Sequence, residues 1–307
     1  MKKKGLAKLK QIGNLLLTTI KKWYKREPFR QSAIIAYSAI FSLPGLLVVI
    51  VNLAGYFFGA DVVSGKLHQQ IASAMGSDTA DQVKEMIAAA TKSKDSVWAT
   101  IIGIATILIG STTVFVQMQK SLDEMWEVKA SMAKSGIVAF LRARLFSFGL
   151  VISIGFLLLI SLVLSSVLAY ISEWITQNWS DQVTILFQVI NYIVSLLMDT
   201  ILFALMFKIL PDAKIQWRFV WLGAFVTAVL FELGKGILGI YFGTAEPGSG
   251  YGAAGSIILI MLWTSYSSTI VFLGAEFTKV YSEYYFGKTP PDENGVKKPK
   301  KIIKVEK

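Results

Sequence analysis

The chain has 307 residues, of which 54% are hydrophobic and only 17% are charged, and its formal net charge is +11. A soluble domain carries about a quarter charged residues, so this composition indicates a membrane protein. The sequence contains no cysteine and one histidine, His68. Disulfides and thiolate metal sites are therefore excluded and histidine-based catalysis is disfavoured, so we expect no cofactor and no metal.

The N-terminal arm, residues 1–30, combines apolar and basic positions at helical spacing. Residues 6–24 place an apolar stripe beside several lysines. This pattern is typical of an amphipathic helix that lies in the headgroup region of an anionic leaflet. We therefore expect a basic interfacial arm whose partners are the bilayer and the anionic lipids of the cytoplasmic surface.

Six apolar segments are long enough to cross a bilayer as helices. Crossing a hydrocarbon core of about 30 Å takes roughly 20 apolar residues in a helix. The segments are residues 33–57, 97–118, 145–170, 183–207, 218–242 and 254–278. The sequence thus predicts an all-α, polytopic membrane protein whose six-helix transmembrane domain covers residues 31–286.

The distribution of Lys and Arg predicts the orientation of these segments. The arm, two alternate connections and the C-terminal tail contain 26 of them, and the other three connections contain four. Because cytoplasmic loops carry the excess of positive charge, we predict an inner-membrane-type protein with both termini in the cytoplasm. The same distribution explains the basic charge without nucleic acid. Residues 58–96 are then an extracytoplasmic helical hairpin, and residues 287–307 are a Lys-rich disordered tail.

Polar side chains inside the apolar segments are the candidate functional residues. Charges in a bilayer core are costly and usually face a cavity or a partner. Counting 1.5 Å per residue from the segment ends predicts an outer layer containing Glu232 and Lys235 and an inner, acidic layer containing Asp199 and Glu276. Lys208 and Lys279 lie at depths that would compensate the inner layer. We predict substrate-binding or gating roles for six residues: Glu232, Lys235, Asp199, Asn191, Asn52 and Glu276.

A structural interpretation of the same residues stays open. Glu232 and Lys235 are three residues apart on one helix face, so they can also form a buried ion pair that fixes helix register. Glu276 lies near a helix end, where it can pair with Lys279. The amides, Gln188 among them, can hold helices together by interhelical hydrogen bonds.

Four stretches together resemble one family of bacterial membrane proteins. They are Ser32 to Pro44 (SAIIAYSAIFSLP), Gln119 to Trp126 (QKSLDEMW), Leu210 to Arg218 (LPDAKIQWR) leading to Gly223-Ala224, and Tyr251 to Ser256 (YGAAGS) followed by Leu262-Trp263 and Gly274-Ala275-Glu276-Phe277. In this order and spacing, from about residue 30 to 286, they resemble the YihY/BrkB family. The resemblance implies six helices with internal termini. Members of the family were once labelled ribonucleases and look like transport proteins, with lipids or lipid-linked molecules as candidate substrates.

The leading functional hypothesis is a transporter or lipid-handling protein with a polar intramembrane cavity for a lipid or a small charged substrate. The alternative is a non-transporting membrane scaffold or envelope-associated factor that uses the arm and the basic surface. A channel is not distinguished from a carrier. Enzymatic activity is not expected, because nuclease chemistry usually needs clustered carboxylates for a metal. Asp123, Glu124 and Glu127 are spaced as on a solvated helix surface.

Overall fold

The described part of the chain is a set of long helices with one small sheet. The computed structural model describes residues 2–91, 113–130, 181–245, 247–287 and 295–297. Its elements in chain order are α1 (Lys2–Lys25), α2 (Pro28–Phe58), α3 (Ala60–Met75), α4 (Ser77–Thr91), α5 (113–125), β1 (Val128–Ala130), α6 (Asp181–Ile209), α7 (Trp217–Ala245), a 3-10 helix (Ser249–Ala254), α8 (Gly255–Phe286) and β2 (Gly295–Lys297).

Three described helices are long and apolar enough to cross a membrane. The qualifying segments are Tyr192–Ile209 in α6, Trp217–Ala245 in α7 and Gly255–Tyr285 in α8. The first predicted segment, 33–57, falls in α2, a continuous helix of 31 residues. The predicted segment 145–170 and most of 97–118 lie outside the described residues. The all-α class is therefore confirmed apart from two short strands, and the count of six spans stays a prediction.

The two strands connect the region after α5 to the C-terminal tail. β1 and β2 pair antiparallel, with Val128 opposite Lys297 and Ala130 opposite Gly295. The sequence predicts a disordered tail over residues 287–307, so these three paired residues differ from that expectation. Most of the other tail residues lie outside the described ranges, and for them disorder stays a prediction.

The arm forms a helix that packs against the end of α8. α1 contacts α8, Thr19 is buried, and Trp23 packs against the main core. Its opposite side exposes a group of apolar residues: Ile12, Leu16, Leu17, Ile20 and Tyr24. α1 turns into α2 at Glu27, whose φ of 51° is left-handed. Pro28 then opens α2, where its missing N–H costs nothing.

α3 and α4 occupy the region for which the sequence predicts a helical hairpin. They meet at Gly76, whose φ of 92° suits glycine, and they pack against each other and against α2. Val83 and Ile87 of α4 lie in one apolar cluster with Leu47 and Val48 of α2. The His68 imidazole contacts the Asp81 carboxylate at 2.9 Å and joins the two helices. Their side of the membrane stays a prediction.

The main core joins α5, α6, α7 and α8. Leu122, Phe207, Val220 and Phe272 are fully buried within it. α7 lies between α6 and α8, and α2 packs against α8. Hydroxyl groups also connect α2 to α8, because the Ser32 Oγ lies 3.0 Å from the Thr269 Oγ1. We call the end of this bundle where α1 meets the end of α8 the α1 end.

α7 and α8 approach closely through two reciprocal glycine–threonine contacts. Gly223 of α7 faces the side chain of Thr278, and Gly274 of α8 faces the side chain of Thr227. Each threonine hydroxyl donates to the glycine carbonyl four residues earlier, at 2.6 Å for Thr227 and 2.7 Å for Thr278. The hydroxyls are therefore satisfied inside an apolar contact, and small residues let the helices pack tightly. The sequence spacing of Gly239 and Gly243 suggests a similar approach, but nothing lies within 4 Å of a Cβ added at either.

We predict that Gly223→Ala and Gly274→Ala destabilise the bundle. An added Cβ at either position would overlap the facing threonine, and overpacking of this kind costs about 1–3 kcal/mol. The measurement is the temperature at which the detergent-purified protein loses its monodisperse gel-filtration peak. Gly239→Ala is the matched control, because an added methyl there meets open space. If Gly223→Ala, Gly274→Ala and Gly239→Ala lost the monodisperse peak at the same temperature, the close contact of α7 with α8 would be contradicted.

Candidate functional site

Three charged side chains lie close together on two helices that are long and apolar enough to cross a membrane. The Lys235 Nζ donates to the Glu232 Oε1 at 2.6 Å, within α7. From α6, the Asp199 carboxyl group lies close enough to Glu232 and Lys235 to interact electrostatically with both. We call Asp199, Glu232 and Lys235 the intramembrane cluster. The division into an outer layer with Glu232 and an inner layer with Asp199 therefore does not hold, because Asp199 is close enough to Glu232 to interact with it.

The cluster has a closed side and an open side. The side chain of Glu232 is 10% exposed, whereas that of Lys235 is 43% exposed. An aromatic layer lies next to it, because the Phe231 ring is 5.5 Å from Phe203 of α6 and 6.3 Å from Trp263 of α8. Access to the cluster from outside the described helices is therefore on the lysine side.

Of the two predicted asparagines, Asn52 has a described side chain, and it does not reach this cluster. The Asn52 side chain is exposed and donates to the Val48 carbonyl of its own helix at 2.8 Å. Asn191 lies in α6, but its side chain is outside the part that the structure describes. Lys208 does not compensate Asp199, since its Nζ donates to the Ile215 carbonyl at 2.6 Å and lies over the Trp217 ring.

Glu276 belongs to a second site, at the α1 end. Its side chain is fully buried, and its Oε2 lies 3.4 Å from the Arg26 Nε. The sequence suggests Lys279 as its partner. The Lys279 Nζ instead contacts Glu127 at 3.0 Å and Glu283 at 3.9 Å. The nearest cation to Glu276 therefore comes from the N-terminal arm.

Arg26 connects three parts of the chain. Besides Glu276 of α8, its guanidinium donates to the Glu124 carbonyl at 3.0 Å and to the Glu127 carboxylate at 2.6 Å. Partial burial alone would raise the pKa of Glu127. The hydrogen bonds and charges of Arg26 and Lys279 outweigh that effect and lower the pKa to about 2. Among ten cationic residues in the arm, no sequence signal singles out Arg26.

A charged cavity of about 360 Å³ lies at this junction. Its lining is basic and acidic residues of the α1–α2 corner, of the end of α5 and of the turn after it: Lys22, Lys25, Arg26, Glu27, Arg30, Glu124 and Glu127. Glu27 and Glu127 are the non-glycine residues with positive φ in the described chain. Such conformations are costly and persist where surrounding contacts hold them. Glu127 pairs with Arg26 and Glu27 pairs with Arg30, at 2.6 Å each.

The connection between α6 and α7 is fixed to α5 by a carboxylate. Asp123 is 8% exposed, and its Oδ1 accepts a hydrogen bond from the Asp212 backbone N–H at 2.7 Å. The interpretation of Asp123 as solvated charge is therefore wrong. Within the described ranges, no group of three or more His, Cys, Asp or Glu could hold a metal ion.

The stretches that carry the family resemblance meet at this end of the fold. Asp123 of the second stretch binds Asp212 of the third, and Arg26 joins Glu124 of the second to Glu276 of the fourth. The family described as Virulence factor BrkB matches residues 19–298. The chain belongs to this family. The resemblance is thereby confirmed, and the chain is an integral membrane protein of the YihY/BrkB type.

Individual relatives are similar at low identity. A UPF0761 membrane protein of Saccharophagus degradans is 25% identical over 273 residues, which are 89% of this chain and 60% of that protein. One of Pseudoalteromonas atlantica is 24% identical over 257 residues, or 82% of this chain and 80% of the relative. The UPF0761 membrane protein YihY of Salmonella typhimurium is 27% identical over 191 residues, 60% of each chain. The chain thus spans only 60% of the length of two of these three relatives. No solved structure matches the chain.

We predict that Arg26→Met lowers stability by about 3–5 kcal/mol, because it leaves the fully buried carboxylate of Glu276 without its nearest cation. Chemical unfolding followed by tryptophan fluorescence measures the change. The double variant Arg26→Met/Glu276→Leu recovers part of the loss, since it removes the uncompensated charge. Arg30→Met is the control, because Arg30 forms an exposed pair with Glu27 worth about 0–1 kcal/mol. Equal losses for Arg26→Met and Arg30→Met would contradict the pairing.

The pKa of Glu127 predicts an acid-dependent part of the stability. A carboxyl group whose pKa falls from 4.5 to about 2 on folding stabilises the folded chain above pH 4.5, and this contribution is lost as the pH falls toward 2. We expect the melting temperatures of wild type and Glu127→Gln to differ at neutral pH and to converge below the folded pKa. A difference that is constant over this range would contradict the ionic role of Glu127. Glu85→Gln, at an exposed position of α4, is the control.

Proposed function

We propose that the chain is a multi-pass inner-membrane transporter or lipid-handling protein, with cytoplasmic termini and with the intramembrane cluster in contact with its substrate or gate. The observation that carries the proposal is the meeting of Asp199 with Glu232 and Lys235 across two helices that can span a bilayer. Its substrate class is a lipid or a small charged molecule.

The position of the cluster along α7 supports an intramembrane role. Lys235 lies eighteen residues after Trp217, about 27 Å along the axis at 1.5 Å per residue. The α1 end, where α7 begins, carries the basic arm and faces the cytoplasm in the proposed orientation. Counted in the same way from the end of α6, Asp199 lies about 15 Å deep, so the cluster extends from the middle of a hydrocarbon core of about 30 Å toward its far side. A substrate that enters from the α1 end would have to cross about half of the membrane to reach it.

The energetic cost of the cluster also favours a functional role over a structural one. A charged residue at the centre of a membrane helix costs about 2.5–3.5 kcal/mol on insertion scales. A structural pair would offset this cost best with equal numbers of each charge and with both partners buried. Here two carboxyl groups face one lysine, and that lysine is 43% exposed. Such an arrangement suits a site that exchanges contacts with a ligand.

The alternative is a membrane scaffold, and the exposed apolar side of α1 is the observation that favours it. Ile12, Leu16 and Ile20 lie on that side, which suits docking to a lipid surface. Deleting the whole arm would not test this alternative. The deletion also removes Arg26 and leaves the buried carboxylate of Glu276 without its nearest cation. The triple variant Ile12→Ser, Leu16→Ser and Ile20→Ser changes the docking face and keeps Arg26.

We predict that Glu232→Gln and Lys235→Met each slow substrate movement by about tenfold or more, because each variant removes one of the charges proposed to contact the substrate, and a loss of about 1.4 kcal/mol in the transition state is tenfold in rate. The assay uses proteoliposomes loaded with fluorescently labelled phosphatidylethanolamine or phosphatidylglycerol, and it measures quenching by a membrane-impermeant reductant over time. Lys214→Met is the matched control, since Lys214 is an exposed lysine of the α6–α7 connection.

Two outcomes decide between the proposals. Transport that the α1 triple variant retains and the cluster variants lose supports the transporter. If the wild type neither moves nor binds any probe, and the cluster variants behave as wild type in cells, the transporter proposal is defeated. Loss of cellular function in the α1 triple variant alone, with intact folding, would then favour the scaffold.

A further inference from the structure

The charged cavity at the α1 end contains a cation that the rest of the described chain leaves unpaired. Four cations and three carboxylates line it. Three of the cations form ion pairs: Lys22 with Glu283, Arg26 with Glu127 and Glu276, and Arg30 with Glu27. Lys25, an exposed residue at the end of α1, forms no ion pair with a described residue. The cavity therefore offers a positive charge to a ligand.

A second cation, Arg30, is available by exchange. Its side chain is 65% exposed, and that of its partner Glu27 is 61% exposed. Because exposed ion pairs contribute little, an oxyanion can take the guanidinium while the Glu27 carboxylate returns to water. A guanidinium donates two parallel N–H groups to a phosphate or a carboxylate. Arg26, by contrast, is 18% exposed and is engaged by Glu276, Glu127 and the Glu124 carbonyl, so it forms a fixed part of the wall.

The start of α2 adds backbone donors to these two cations. Lys25 is the last residue of α1, and Arg30 lies in the first turn of α2, two residues after Pro28. No side chain of the described chain caps this turn, so its N–H groups are open to an acceptor. The helix dipole also favours negative charge at a helix N-terminus. Lysine, arginine and backbone donors at one corner suit the several oxygens of a phosphate group.

The position of Lys25 on α1 indicates that the ligand arrives from water. Lys25 follows Leu16 by nine residues, which is two and a half turns at 3.6 residues per turn. Lys25 therefore lies on the opposite side of α1 from Leu16, which belongs to the exposed apolar group of this helix. If that group enters the headgroup region, as proposed, the Lys25 side faces the aqueous phase.

The size and the acidic wall of the cavity narrow the class of ligand. A volume of about 360 Å³ is at the low end of the range of about 300–1,000 Å³ for ligand pockets, so the cavity suits a small molecule. Glu124 and Glu127, from the end of α5 and the turn after it, also line the cavity. Ionised carboxylates are acceptors only, so the ligand must carry donors in addition to its negative charge.

We propose that the α1-end cavity binds a small, water-soluble phosphate ester that carries hydroxyl or ammonium groups. Lys25 and Arg30 hold its phosphate group, and its donors face the Glu124 side of the cavity. No covalent step is involved. The site lies apart from the intramembrane cluster, so the inference goes beyond the proposed function and does not depend on it.

Calorimetric titration of the full chain in detergent, in a phosphate-free buffer, tests the site. The probes are inorganic phosphate, glycerol 3-phosphate and phosphoethanolamine. We expect at least one of the two esters to bind more tightly than inorganic phosphate, because it also supplies donors. Lys25→Met and Arg30→Met are each expected to weaken that binding by about tenfold, since each removes a charge-assisted hydrogen bond. Lys21→Met is the matched control, because Lys21 is an exposed lysine of the same helix that does not line the cavity.

Glu27→Gln provides a test of opposite sign. The variant releases Arg30 from its ion pair, so we expect it to strengthen ester binding by up to about fivefold. All four substitutions are at exposed positions, and their melting temperatures are expected to match that of the wild type. Altered binding therefore reports on the cavity and not on folding.

Phosphatidylglycerol and phosphatidylethanolamine in mixed micelles distinguish a lipid headgroup from a soluble ester. Binding of these lipids alone, with neither ester bound, would overturn the inference, and so would the absence of any binding. Equal weakening by Lys21→Met and Lys25→Met would show unspecific attraction to the basic arm and would also overturn it, as would weaker binding in Glu27→Gln. We expect Glu232→Gln to keep ester binding, so a failure of transport and a failure of this site are separate results.

Discussion

The ion pair between Arg26 and the fully buried Glu276 is the contact on which the α1 end depends. A buried carboxylate without a cation is strongly unfavourable, so the chain must return its N-terminal arm to α8. The same guanidinium also holds the Glu124 carbonyl and the Glu127 carboxylate. One side chain thereby positions α1, the end of α5 and the end of α8 together. The two residues with left-handed backbone, Glu27 and Glu127, lie where these three parts meet.

Beyond the α1 end, α7 and α8 are held together by two reciprocal contacts. Gly223 packs against Thr278, and Gly274 packs against Thr227. Because the threonine hydroxyls are satisfied within their own helices, α7 and α8 pack closely without an unpaired polar group. α7 is then fixed on one side by α8 and meets α6 on the other. Asp199 approaches Glu232 as a result of that position. The site at the α1 end and the intramembrane cluster are therefore connected through the packing of α7 against α8, although they lie at different levels of the bundle.

Residue patterns were sufficient for the helical class, for the i, i+3 pairing of Glu232 with Lys235 and for the family. They failed where the answer depends on which helices are neighbours. Asp199 lies ten residues before the end of α6, and Glu232 lies fifteen after the start of α7. The two residues therefore differ in depth by about 7.5 Å at 1.5 Å per residue. Two side chains can span that distance, so the prediction of two separate layers was too fine. The partner of Glu276 was missed because Arg26 is 250 residues away in sequence, and local spacing favours Lys279.

The attachment of α1 also determines how the bundle sits in a bilayer. α1 is held to α8 by Arg26 and by the contact of Lys22 with Glu283 at 2.9 Å. Its apolar side faces away from that attachment. In the proposed placement of α1 on the cytoplasmic leaflet, the depth at which this side enters the headgroup region sets the height of the helix bundle. With that placement, a change in the surface charge or thickness of one leaflet would displace the intramembrane cluster along the membrane normal relative to the opposite leaflet.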